Sequence, residues 1–240
     1  MSPTATPAEG AGPTRLPTGV PALDRLLGGG YDTDGLTMLY GEGGSGKTVL
    51  CLAAATQVAR EGRHVLYIDT EGVSPERAAA GSGDGASALL RRWLLASPRS
   101  LEEQGRAVRT GCALVREGRR PFGLVVLDSA TLYYRLALGT PEEDEARSEL
   151  LHELAELLAT AIHAEVPVLL TNQVWHNVTT GVTEPLGGSF LIHVAKTVLR
   201  LERPAPDRRR AVLVKHRSRP EGSAEFRITG TGIEGLPSEL

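Results

Sequence analysis

Lysine is nearly absent from this 240-residue chain. Lys47, Lys196 and Lys215 are the three, and every other one of its 26 basic side chains is arginine. Strong positive charge is missing as well: the formal net charge is −3. A chain that held nucleic acid by its overall field would be basic, so any DNA contact here has to use a local patch. Aromatic residues make up 4% of the chain, which leaves Leu, Val, Ile and Ala to build the core. Two cysteines, Cys51 and Cys112, are too few for a disulfide scaffold or a metal cluster. Each lies in an apolar helical stretch and reads as a buried thiol in a reducing compartment. No apolar run reaches the ~18–20 residues of a membrane-spanning helix. Met1–Thr14, rich in Pro, Ala, Thr and Gly, lacks the apolar centre of a secretory leader. The expectation is a cytoplasmic protein with a flexible tail over 1–14 and a single core domain over 15–240.

What is present is an alternation of short apolar runs and helical patterns. Strands are expected at 36–40, 64–69, 123–128 and 166–171, and helices at 47–60, 86–96, 100–117 and 142–164. The strand runs are continuously apolar, as in parallel strands buried on both faces. The repetition predicts an α/β fold with a mainly parallel sheet flanked by helices. The tail differs. Residues 195–202, 210–215 and 224–229 read as short strands joined at Pro204–Asp207 and Arg219–Gly222, an antiparallel edge on that sheet. Gly81–Ala86 reads as a mobile connection. The acidic run Glu142–Glu145 is either another connection or a helix start favoured by the helix dipole.

The segment Gly41-Glu42-Gly43-Gly44-Ser45-Gly46-Lys47-Thr48 has the phosphate-loop pattern G-x-x-x-x-G-K-[ST], placed between a strand and a helix. Its glycines let backbone N–H groups converge on phosphate oxygens at a helix N-terminus. Lys47 is expected to reach the β- and γ-phosphates, with Thr48 holding Mg²⁺ and Val49 continuing the binding segment. Asp128, ending the apolar run 124–127, is the matching carboxylate for the metal. Ser129 follows it, so the group that activates water has to come from elsewhere. Glu71 follows the expected strand at 64–69, and strand ends of an open parallel sheet border one crevice. It is the candidate catalytic base, with Lys47 and Gln173 as the other catalytic candidates. Gln173, after the strand at 166–171, has an amide able to bond the γ-phosphate or the attacking water.

These pieces together resemble the RecA/Rad51 recombinase superfamily. The resemblance runs from about Leu16 to the end. It is carried by Leu16-Pro17-Thr18-Gly19, Leu23–Gly30, the phosphate loop, Ile68–Gly72, Thr171-Asn172-Gln173-Val174, Lys215–Gly222 and Ala224–Ile228. It implies a RecA-like P-loop core, ATP and Mg²⁺ as cofactors, weak ATP hydrolysis and a part in homologous recombination and DNA repair. The partners it implies are DNA of either strandedness without sequence preference, a RadA-type recombinase, a Holliday-junction resolvase and a possible homo-oligomer. Two loops would face DNA by position. The first includes Tyr133, Tyr134 and Arg135, able to stack on bases and bind phosphate, unless the tyrosines pack under a helix. The second spans Trp175–Gly188, with Asn177, Thr179 and Thr180 and no Lys or Arg. Arg208–Arg210 is the densest basic cluster, a phosphate contact or a solvated hairpin turn.

Lys215 and Arg217 form a K-x-R pair of the kind that reaches the ATP of an adjacent subunit, or else pair with local acids. Only about 15 residues precede the core and the first Phe is Phe122. The polymerisation and DNA-loading segments of full recombinases are therefore expected to be absent, and an accessory role fits better than autonomous strand exchange. The alternatives are a KaiC-like single-domain regulatory ATPase that never touches DNA, and a nucleotide-dependent scaffold without useful turnover.

Overall fold

The computed structural model describes residues 14–73, 85–176, 183–230 and 232–236. In chain order these contain β1 (Arg15–Leu16), α1 (Pro21–Leu27), β2 (Tyr31–Asp32), β3 (Leu36–Gly41), α2 (Lys47–Arg60), β4 (His64–Asp69), α3 (Ala86–Leu90), β5 (Trp93–Ala96), α4 (Leu101–Arg116) and β6 (Phe122–Asp128). Then come α5 (Leu132–Ala137), α6 (Glu143–Ala164), β7 (Val168–Asn172), β8 (Val174–His176), β9 (Thr183–Pro185), α7 (Ser189–Val194), β10 (Thr197–Glu202), β11 (Arg208–Lys215), β12 (Gly222–Thr229) and β13 (Gly232–Gly235).

Among the described residues, nine strands form one sheet in the order β13-β12-β11-β10-β3-β7-β6-β4-β5. From β10 to β5 every pairing is parallel, and from β10 outward to β13 every pairing is antiparallel. The expected architecture is therefore present. Its parallel strands are apolar throughout because both faces are covered. Leu39, Val65, Tyr67, Val126 and Leu199 turn to the side of α2, whose Leu50, Ala54 and Val58 meet them. Their neighbours Met38, Leu66, Ile68, Leu127 and Val198 turn to the side of α4 and α6. Gly111 lets α4 lie close to the sheet, since a Cβ there would come 2.6 Å from Leu66 Cδ2. Cys51 and Cys112 are both buried, one in each layer.

Local signals set the helix ends. Pro21 sits at the start of α1, and Gly28 ends it in a left-handed conformation. Ser100 caps α4 by accepting from Glu103 N at 3.2 Å. The acidic run at 142–145 opens α6, with Glu143, Asp144 and Glu145 in its first turn. One element differs from expectation. Residues 86–96 are not one helix: α3 stops at Leu90 and Trp93–Ala96 pairs in parallel with β4 as the sheet edge. The Ala/Leu-rich sequence favours a helix, but β4 offers an open row of backbone donors and acceptors there, and pairing overrides propensity. Residues 81–84 of the expected mobile connection lie outside the described residues. No described helix is long and apolar enough to cross a membrane.

Candidate functional site

A cavity of about 800 Å³ opens at the C-terminal end of the parallel strands. Its floor is the loop from Gly41 to Lys47. Gly41 and Gly46 take φ values of +156° and +105°, and a Cβ on Gly41 would meet Leu201 O at 2.3 Å. A Cβ on Gly43 would meet nothing within 4 Å, so the loop's backbone is open to a ligand. Lys47 Nζ donates to the carbonyls of Gly41 and Glu42 at 2.8 and 3.0 Å. Burial pushes the Lys47 pKa down, and the charges of Glu71 and Asp128 oppose that. Ser45 Oγ is buried without a hydrogen-bond partner. Loop, ammonium and orphaned hydroxyl together fit a bound polyphosphate. Thr48, half-buried at the start of α2, and Val49 line the same cavity.

Asp128 ends β6 fully buried. Tyr67 OH donates to its Oδ2 at 2.8 Å and Thr171 Oγ1 to its Oδ1 at 2.5 Å. Burial first, with nearby anionic groups, holds the Tyr67 pKa well above its ordinary value, so Tyr67 stays a donor. The Asp128–Ser129 peptide bond is cis. Thr48 lines the cavity and the fully buried Asp128 does not; both carry the kind of oxygen donor that magnesium prefers.

Glu71 follows β4 on a loop shaped by Asp69. The buried Asp69 carboxylate accepts from the backbone N–H groups of Glu71, Gly72 and Val73 at 3.1, 2.9 and 2.7 Å. The sequence left Asp69 without a role; it presents Glu71 to the cavity. Gln173 follows β7 and donates Nε2 to Glu71 Oε1 at 2.6 Å. Its Oε1 accepts from Arg135 Nη1, also at 2.6 Å. Lys47, Glu71, Gln173 and Arg135 thus share one cavity wall.

The DNA-facing expectation for Tyr134 needs correction. Tyr134 is 6% exposed and packs in the core layer with α4 and α6, so it offers no face for a base. Tyr133 OH donates to Pro98 O at 2.8 Å. Arg135 lines the phosphate cavity and is exposed there. Asn177, Thr179 and Thr180 lie outside the described residues. The Arg208–Arg210 cluster is divided. Arg209 is 7% exposed, donates to the carbonyls of Ala205, Pro206 and Arg208, and walls the cavity with Ile228. Arg210 is paired to Glu225. His193 is exposed.

Lys215 and Arg217 lie at the opposite end of the sheet, since Lys215 pairs with Val198 and Val198 with Met38 near the start of β3. Lys215 Nζ donates to the carbonyls of Ile192, His193 and Ala195, and Arg217 pairs with Asp32 and Asp34. The Asp34 pKa falls to about 2, chiefly through its hydrogen bond from Arg217. Neither cation reaches the chain's own phosphate loop. Sequence reasoning missed Arg209, Ile228, Val73 and Val174 as cavity walls and Tyr67 and Thr171 as the holders of Asp128. Only the fold brings these distant segments together.

The Rad51 family model matches residues 13–236. The DNA repair and recombination protein RadB of Methanoculleus marisnigri is 44% identical over 220 residues, 91% of this chain and 97% of that protein. The protein of the same name from Methanococcoides burtonii is 38% identical over 213 residues, 88% of this chain and 93% of that one. A solved structure, described as the crystal structure of the RadB recombinase, superposes with a TM-score of 0.77 at 38% identity. It covers 92% of this chain and 100% of that one.

Proposed function

Because this chain belongs to the Rad51 family, we propose that it is an ATP-binding protein of DNA repair and recombination that hydrolyses ATP weakly and uses the nucleotide to change its grip on DNA. The observation that carries the reading is the cavity itself, where Lys47, Glu71, Gln173 and Arg135 meet above the phosphate loop. The loop amides and Lys47 bind the phosphates and neutralise their charge. Thr48 and Asp128 would hold magnesium, which when bound offsets charge on the transferring phosphoryl group. Glu71 takes the proton from the attacking water. Val49, Leu52 and Ile228 give the cavity an apolar lining suited to the base, with Ile228 and Arg209 next to Gly46 of the phosphate loop.

Gln173 makes turnover slow in this reading, because its amide occupies the carboxylate that has to act as base. A γ-phosphate competes for the same amide. When Gln173 turns to it, both Glu71 and Arg135 are released, and with them the segments after β7 and β6. The resemblance adds partners to the reading: DNA without sequence preference, a RadA-type recombinase and a Holliday-junction resolvase. Lys215 and Arg217 are remote from their own phosphate loop, and contact with the nucleotide of a second copy would have to replace their bonds to local carbonyls and to Asp32 and Asp34. The test is DNA affinity measured with ATP, with ADP and without nucleotide. Distinct affinities support the switch, and identical ones remove it.

A further inference from the structure

We propose that the end of the sheet opposite the phosphate loop carries a second anion site, which takes the phosphodiester backbone of a nucleic-acid strand. β5, β4 and β6 are adjacent, and each is entered through arginine: Arg91 and Arg92 before β5, Arg63 before β4, Arg119 and Arg120 before β6. The three entries are tied together by the backbone. Val65 N donates to Arg92 O at 3.0 Å, and His64 N donates to Pro121 O at 2.7 Å. The His64 ring also lies against Arg92 O, with Nδ1 at 3.2 Å. Arg60, at the end of α2, joins Arg91, Arg92 and His64 around a cavity of about 780 Å³.

Among the described residues the charge there is only partly cancelled. Arg63 pairs with Glu61 and Arg119 with Glu117. Arg91, Arg92 and Arg120 are exposed, and none has a carboxylate partner among the described residues. Among the described residues, Arg63, Arg91, Arg92, Arg119 and Arg120 outnumber Glu61, Glu117 and the Glu165 that precedes β7, a positive surface on a chain whose formal net charge is −3. Such a patch is the electrostatic footprint of a nucleic-acid site. Strand entries about 4.8 Å apart make a row rather than a point. A row of guanidinium forks matches repeating phosphates better than a single anion. β4 spans about 17 Å from His64 to Asp69, so a strand held here leaves the nucleotide cavity free.

The proposal rests on the DNA-binding reading above and deepens it, and one experiment separates the two. A fluorescent single-stranded oligonucleotide is titrated, over a range of salt, with the full chain and with the variant Arg91→Gln/Arg92→Gln/Arg120→Gln. A control variant, Arg99→Gln/Arg106→Gln/Arg109→Gln, has the same net charge. Affinity for a fluorescent ATP analogue reports folding. The expected result is a loss of about tenfold or more in oligonucleotide affinity and a salt slope shallower by about two, with analogue binding and the control unchanged. Should the triple variant fail to bind the analogue, Arg92→Gln alone replaces it, with an expected loss of about threefold.

Undiminished binding by the variant would overturn the proposal while leaving DNA binding in place. Failure of the unaltered chain to bind any oligonucleotide would remove both. An equal loss in the control would reduce the effect to net charge and overturn the site. Poly-glutamate bound as tightly as the oligonucleotide, and lost equally in the variant, would overturn the assignment to nucleic acid.

Discussion

Gln173 Nε2 stands 2.6 Å from Glu71 Oε1, across 102 residues of sequence. The same amide group, through its oxygen, holds Arg135. One side chain therefore joins the ends of β4 and β7 and the helix that follows β6, and it does so beside Lys47. Those two bonds use one of the amide's two N–H donors and one of its oxygen's two lone pairs. A ligand that turns the amide away from Glu71 or Arg135 would free the segment that partner sits on, and so would couple cavity occupancy to the loops.

Gln173→Ala is expected to uncouple nucleotide from DNA. Allosteric coupling of ordinary size, about 5- to 150-fold, should fall to within about twofold between ATP and ADP. Fluorescence anisotropy with a labelled oligonucleotide measures it. Arg135→Ala, which cuts one arm of the relay, should leave an intermediate ratio.

Glu71→Gln removes the proposed proton acceptor but keeps the shape. Turnover should fall by about 10²–10⁴-fold, while ATP affinity stays within a few-fold. Steady-state phosphate release and equilibrium binding of the analogue provide the two numbers. Equal loss in both would make Glu71 a binding residue instead.

Tyr67→Phe and Thr171→Val each strip one hydroxyl donor from the buried Asp128 carboxylate. Either change should cost about 1–3 kcal/mol in chemical denaturation. It should also raise the magnesium concentration needed for ATP binding, because Asp128 loses its orientation.

Glu153 gives the fold a pH dependence. It is buried between α4 and α6, accepts from Gln104 Nε2 at 2.6 Å, and has its pKa raised to about 8, chiefly by desolvation. Glu153 Oε1 and Gln104 Oε1 both lack a donor, and a proton on the Glu153 carboxyl supplies one. The unfolded chain releases that proton near the ordinary glutamate value and the folded chain releases it near 8. Stability from this group is therefore complete below the unfolded pKa and is lost as pH rises to about 8. Urea midpoints at pH 5 and pH 8 should show this loss, amounting to a few kcal/mol at most. Glu153→Gln should abolish that part of the slope.

Sequence reasoning reached furthest where the information is local. The strand, turn and helix around Gly41–Thr48 read directly, and α2 runs over Lys47–Arg60 as expected. Asp128, Glu71 and Gln173 were legible because each ends an apolar run, and parallel strands collect their C-terminal ends on one side. β5 was hidden because Ala and Leu carry a helical pattern that an open sheet edge overrides. Tyr134 and Arg135 are neighbours with opposite fates. One turn of helix after β6 sends the first into the core and the second to the cavity, and composition does not reveal which. Arg209 was beyond reach for a different reason: its place beside the phosphate loop depends on β11 pairing with β12, where Arg209 faces Phe226.

The account depends most on the cavity above Gly41–Lys47 holding magnesium-bound ATP. Calorimetric titration of the purified chain with ATP, with and without magnesium and beside Lys47→Ala, tests this directly. Saturable binding below about 1 mM that requires magnesium and weakens at least about tenfold in the variant, roughly 1.4 kcal/mol, is the predicted result. No binding at millimolar ATP, or binding indifferent to both magnesium and Lys47, would contradict it.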